Sequence, residues 1–295
     1  MSEYLEVIAN KINKAEEIST LVRSMKALAS TNIRQYERAM EALSDYYRTV
    51  QLGLSISLKE MHHFNFQDGG FIKSKAVQIL VFGSDQGLVG QFNEQIAEKV
   101  LGFFNDFPID RSKIWAVGDR IAGHLIDRDF DLEGVLDIPT SVHGITDLVT
   151  EILDTIPLST IYVFYNRPGL KNFVFQPYHE RLLPLDKEWL EKLEEVTWPS
   201  NRVPEVLGDR EKTLGLLVRE YLFVSLYRAC TSSLTSENAS RLASMQRAEK
   251  NIREFLENLQ QRYHQKRQEV TDNELFDLVS GFEALKDELD KSNLF

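Results

Sequence analysis

Apolar residues near the start of the chain recur three or four places apart: Leu5, Ile8, Ile12, Ala15, Ile18, Val22, Met25, Ala29, Ile33, Tyr36, Met40 and Leu43. That spacing follows one face of a long amphipathic helix. No glycine precedes Gly53 and no proline precedes Pro108, so nothing punctuates it. At about 1.5 Å per residue, about 50 residues would reach roughly 75 Å. The far end repeats the pattern. Leu216 to Ser280 holds neither glycine nor proline, and Leu242, Met245, Ala248, Ile252, Phe255, Leu259 and Tyr263 keep the same spacing. A second helix of up to roughly 95 Å is predicted, interrupted near the polar cluster Thr231 to Asn238, whose side chains compete for backbone hydrogen bonds.

Between these ends, apolar runs alternate with helical patterns, and all eight prolines fall there. Strands are expected at Ala76 to Gly83, Ile114 to Val117, Gly134 to Ile138, Ile161 to Tyr165 and Phe173 to Phe175. Helices are expected at Asn93 to Asn105, Arg120 to Asp127 and Ile145 to Ile156. The alternation predicts an α/β layer with a mainly parallel sheet. The expected organisation is an N-terminal coiled-coil helix at 1–60, an α/β domain at 64–209 and a C-terminal coiled-coil helix at 210–295. The two terminal helices pair antiparallel if the middle segment starts and ends near one place.

Composition narrows the function classes. The 45 acidic residues against 34 basic give a net charge of −11, which repels nucleic-acid backbones and anionic lipid unless basic residues gather on one face. The lone Cys230 excludes an internal disulfide framework and a cysteine-rich zinc site, and fits a reducing compartment. The opening residues carry acids from position 3 and do not read as a secretory signal. The most hydrophobic stretch, LGLLVREYLFVSLYRAC, is broken by Arg219, Glu220 and Arg228 and does not read as a membrane span; a soluble protein is expected.

The segment VFGSDQGLVGQFN, 81–93, looks at first like a phosphate cradle. Its glycines at 83, 87 and 90 give G-x-x-x-G-x-x-G, which is neither the dinucleotide fingerprint nor the P-loop, and no lysine follows to reach a phosphate. An acid, Asp85, stands where a phosphate needs positive charge. The six histidines show no ligand spacing, and neither a G-x-S-x-G elbow nor a cysteine–histidine constellation is present. No cofactor, metal site or catalytic residue is expected, and Asp85, Gly87, Gly90 and Asn93 read as a structural turn.

Three blocks carry a family resemblance. LVRSMKALASTNIR, 21–34, is similar to I-T-x-A-M-x-M-V-A-A-x-K-L-R, with Met25, Lys26, Ala29 and Arg34 in matching places. SDQGLVGQFN is similar to S-D-R-G-L-C-G-x-x-N through Ser84, Asp85, Gly87, Leu88, Gly90 and Asn93. SENASRLASM and RQEVTDNELFDLVSG are similar to S-E-x-A-x-R-x-x-A-M and R-Q-x-x-I-T-x-E-L-x-E-I-V-x-G, bringing Ser236, Glu237, Ala239, Arg241, Met245, Arg267, Gln268, Glu274, Leu275, Val279 and Gly281 into register. In this order, from near Leu5 to about Gly281, they resemble the gamma subunit of F-type rotary ATP synthases, as a divergent member with Asn32 at the family's lysine and Thr271–Asp272 at its I-T.

The resemblance implies a non-catalytic central-stalk rotor: an antiparallel two-helix coiled coil from the chain ends with a Rossmann-like middle domain that binds no nucleotide. It implies as partners the catalytic and non-catalytic subunits of the ATPase hexamer, an epsilon-type stalk subunit and a membrane c-type ring, and a peripheral place on the cytoplasmic face of the energy-transducing membrane. Met25, Lys26 and Arg34, with Arg241 and Met245, would form a collar facing the catalytic subunits. Arg241 and Glu274 would supply directional polar contacts, and Gln268 with Asp272 would lie close to the upper bearing. Solvated charges and a filled coiled-coil seam are the plain alternatives for these residues. For the whole chain the alternatives are a coiled-coil scaffold, which would self-associate, and a nucleotide-binding enzyme, which would bind nucleotide when isolated.

Overall fold

The computed structural model describes residues 2–60, 76–107, 112–169, 174–185, 193, 198–200, 202, 204–206 and 208–292. The chain divides into two compact units, 1–27 with 245–295, and 28–244. Helices α1 (Ser2–Glu60) and α5 (Arg210–Ser292) contribute to both. The larger unit also holds β1 (Val77–Phe82), α2 (Phe92–Asp106), β2 (Ser112–Val117), α3 (Asp119–Ile126), β3 (Leu132–Leu136), α4 (Val142–Thr155), β4 (Thr160–Pro168) and β5 (Phe175–Leu183).

The sheet runs β3-β2-β1-β4-β5. Four strands are parallel and β5 returns antiparallel along β4. Side-chain alternation on β1 explains how both faces become buried. Ile79 and Val81 join Ile96, Val100, Ile121 and Leu125 of α2 and α3 in one core. Leu80 and Phe82 join Ile145, Val149 and Ile152 of α4, with Tyr36, Val50 and Leu54 of α1 and Leu222 and Leu226 of α5, in the other. The long helices of this unit thus replace the second crossover helix that such a sheet needs to cover its face.

On α1 the buried positions Ile8, Ala15 and Val22 in the smaller unit and Ala29 and Tyr36 in the larger fall seven apart, and buried Val50 follows two heptads after Tyr36. A seven-residue repeat is the signature of a coiled-coil seam. In the larger unit the helices run antiparallel: Asn32 Nδ2 donates to Asn238 Oδ1 at 3.3 Å, and Tyr46 OH donates to Glu220 Oε2 at 2.5 Å. The Arg228 guanidinium lies over the Tyr47 ring, 4.7 Å from its centroid.

Three expectations need correction. The break near Thr231 to Asn238 does not exist; α5 is continuous through it and through Gly215. Thr231 and Thr235 hydroxyls and the Asn238 amide donate to the carbonyls of Tyr227, Thr231 and Leu234, so these polar groups are satisfied within the helix. The third strand ends at Leu136 rather than Ile138. The fifth begins at Phe175 and continues to Leu183; Phe173 lies outside the described residues. Pro177 in that strand is tolerated because β5 is at the sheet's edge.

Candidate functional site

The glycine loop sits where an open α/β sheet presents ligand-binding loops, at the carboxyl end of β1. Its own side chains occupy that position. Asn93, in the first turn of α2, accepts from the Ser84 amide through Oδ1 at 2.9 Å and donates from Nδ2 to Ser84 Oγ at 2.7 Å. Ser84 Oγ donates to the Gln86 carbonyl. Asp85 Oδ1 accepts from the Asp119 amide at 3.0 Å, and the Ser84 carbonyl accepts from the Arg120 amide at 2.9 Å. Two free donors at the start of α3, the groups that would greet a phosphate, are therefore engaged by the loop, one of them by a carboxylate.

Gly90 takes the left-handed conformation at φ 59°, as the turn requires, and so does Leu88 at φ 64°. Gly87 faces open space, with only Arg120 Nη2 as near as 4.0 Å from where a Cβ would stand. Gly118, at the β2–α3 turn, was not singled out from the sequence. It has φ 113°, and a Cβ there would meet the Ser84 carbonyl at 2.9 Å.

Helix α5 lies across this loop. Ser240 Oγ donates to the Val89 carbonyl at 2.6 Å. Beside it, Nη2 of the next residue, Arg241, donates to Oε1 of Glu237 one turn back at 2.6 Å, with both side chains nearly buried. A crevice of about 160 Å³ opens beside the pair, lined among others by Asn32, Tyr36, Asp85, Thr140, Glu237 and Arg241. Burial pushes the Glu237 carboxyl above its ordinary value, the charge of Asp85 adds to this, and Arg241 opposes it. Burial, reinforced by the charge of Glu237, raises the Tyr36 hydroxyl to about 12. Arg241 Nε has no hydrogen-bond partner. The crevice is a polar seam inside the fold, where Glu237 is paired with Arg241 and Asp85 with the Asp119 amide.

The remaining expected contact residues are dispersed. Arg34 is exposed in the larger unit. In the smaller unit Met25 is half-buried, Met245 is buried, and Gln268, Asp272 and Glu274 are exposed on α5. Lys26 is engaged: its Nζ donates to Glu249 Oε2 at 2.6 Å, while Arg23 Nε lies 3.6 Å from Oε1 of the same carboxylate. The Lys26 hydrogen bond holds the Glu249 carboxyl below its ordinary value. Glu249 was not foreseen, although it interrupts the apolar spacing of Leu242 and Leu256. Beyond it, Leu275, Phe276, Leu278, Val279 and Phe282 are all more than half exposed. Among the described residues no helix is long and apolar enough to cross a membrane.

A family model described as ATP synthase matches residues 4–285. An ATP synthase gamma chain from Sulfurovum sp. (strain NBC37-1) is 25% identical over 299 residues, covering 96% of this chain and 99% of the relative. One from Lactococcus lactis subsp. cremoris (strain MG1363) is 25% identical over 297 residues, covering 97% and 100%. Among solved structures, a chain of the Euglena gracilis mitochondrial ATP synthase in rotational state 3 superposes with a TM-score of 0.65 at 15% identity, covering 97% of this chain and 95% of that one. A chain of that enzyme's rotor gives 0.59 at 16% identity, covering 92% and 99%.

Proposed function

The chain belongs to the ATP synthase family, and from that premise we propose that it is the gamma-type central-stalk rotor of an F-type enzyme, itself without catalytic residues. The observation that carries the reading is the extent of the match, which takes in both long helices and the α/β layer between them. Relatives named ATP synthase gamma chain match over nearly their whole length, which supports the same reading.

In this role the helices act by differential contact. A shaft that touched every catalytic site alike would shift nothing; one that presents a different face to each biases the open or closed state of each in turn. Arg34, Gln268, Asp272 and Glu274 expose polar groups suited to such contacts, and Met25 offers a half-buried apolar one. Arg241 and Met245 are turned to internal tasks, the first paired with Glu237 and the second buried, so they act on partners by holding the surfaces beside them. The glycine loop serves packing: Asp85 takes the place an anionic ligand would have, and α5 covers the turn.

The partners in this reading are the hexamer of catalytic and non-catalytic subunits, an epsilon-type subunit and a c-type ring, with the chain peripheral to the cytoplasmic face of the membrane. Co-expression with hexamer subunits of the same organism tests it. The chain should purify within the complex and alter its ATP hydrolysis. A chain that stays apart from the hexamer, or binds nucleotide by itself, would defeat the reading.

A further inference from the structure

In the smaller unit the apolar seam repeats every heptad on both helices. On α1, Ile8, Ala15 and Val22 are buried and seven apart; on α5, Met245, Ile252 and Leu259 are seven apart, the first and last buried. The companion positions also repeat: Leu5, Ile12 and Ser19 lead to Lys26, while Leu242 and Leu256 flank Glu249. Such a seam presents the same class of side chain after a slide of seven residues, so packing of apolar groups alone leaves the axial alignment poorly specified.

The charged pair breaks that degeneracy. Lys26 and Glu249 each stand at a seam position, and they meet, with Arg23 one turn away on the carboxylate's other oxygen. The residues seven places before and after Glu249 are both leucines, and seven places before Lys26 is Ser19. A slide of one heptad in either direction therefore sets the ammonium against a leucine and the carboxylate against Ser19 or Ile33, and the Lys26–Glu249 pair is lost. The bridge is partly exposed, and such pairs add little stability by themselves; its effect lies in what the alternatives lose. We propose that Lys26 and Glu249, flanked by Arg23, form a register pin that holds α1 and α5 of this unit in one axial alignment.

The inference does not depend on the rotor reading, and it is tested on the full chain alone. Spin labels on Glu6→Cys and Glu257→Cys, both exposed and axially offset, report the alignment, while buried Cys230 stays unlabelled. One heptad of slide moves the labels axially by about 10 Å. The parent and the charge-swapped Lys26→Glu/Glu249→Lys chain should each give a single distance. The apolar Lys26→Leu/Glu249→Leu chain should add a second population shifted by several ångströms. A single parental distance in the apolar chain overturns the proposal, as does loss of the single distance on charge exchange. Circular dichroism of the same samples closes the remaining escape, because loss of helix in the apolar chain would give the pair a folding role instead.

Discussion

Replacing Asn93 by alanine removes the brace of the glycine loop. The side chain is 5% exposed and makes two bonds to Ser84, at 2.9 and 2.7 Å. Ser84 is fully buried, so its amide is left without a partner, while its hydroxyl keeps only the Gln86 carbonyl. An ordinary hydrogen bond contributes about 1 kcal/mol, and a stranded buried donor costs about 1–3 kcal/mol, so the loss should come to about 2–4 kcal/mol. For a unit of this size that lowers the midpoint of thermal unfolding by roughly 5–15 °C. Urea unfolding followed by tryptophan fluorescence reports on the sheet, since Trp115 on β2 donates to Gln78 on β1. Asn93→Asp keeps an acceptor for the Ser84 amide and should cost less than alanine. A loss under about 0.5 kcal/mol for Asn93→Ala would refute the reasoning, because it would mean that water replaces the brace freely.

Gly118→Ala should destabilise by about 2 kcal/mol or more, read by the same unfolding curve, because φ is 113° and the new methyl would press on the Ser84 carbonyl. Ser240→Ala should cost about 1 kcal/mol by removing the hydroxyl bond that ties α5 to the Val89 carbonyl, which keeps its 3.4 Å bond from the Phe92 amide, and an unchanged urea midpoint would count against that contact. Arg241→Ala should cost about 3–5 kcal/mol near neutral pH by leaving the Glu237 carboxylate buried and unpaired. Because the folded-state pKa of Glu237 is raised, the native state binds more protons than the unfolded one between the ordinary carboxyl value and the raised one. Stability contributed by this group is thus present at lower pH and is lost as pH rises through that window. The Arg241→Ala penalty should shrink on acidification, and a pH-independent penalty would contradict the assignment.

Periodicity was enough to place the long helices, because a heptad stripe of Ile8, Ala15, Val22 and Ala29 states both the helix and its buried face. It was not enough at Thr231 to Asn238. There the hydroxyls and amide bond to carbonyls one turn back, a use of polar groups that sequence alone does not distinguish from a helix break. Most of strand β5 was illegible for a related reason: QPYHER carries a proline and charges, and only pairing with β4 along an edge makes it a strand. Asp85 could be seen as an obstacle to phosphate, but its partner, the Asp119 amide, is 34 residues away and comes near only through the parallel register of β1 and β2. Glu249 left a readable trace, a charge in a leucine stripe, whose meaning depended on Lys26 arriving opposite.

Rotation is the most direct measurement. With the hexamer immobilised and a bead fixed to an exposed residue of the α/β layer, ATP should drive this chain in unidirectional steps. A complex that hydrolyses ATP with the chain bound while the bead stays fixed would contradict its role as rotor.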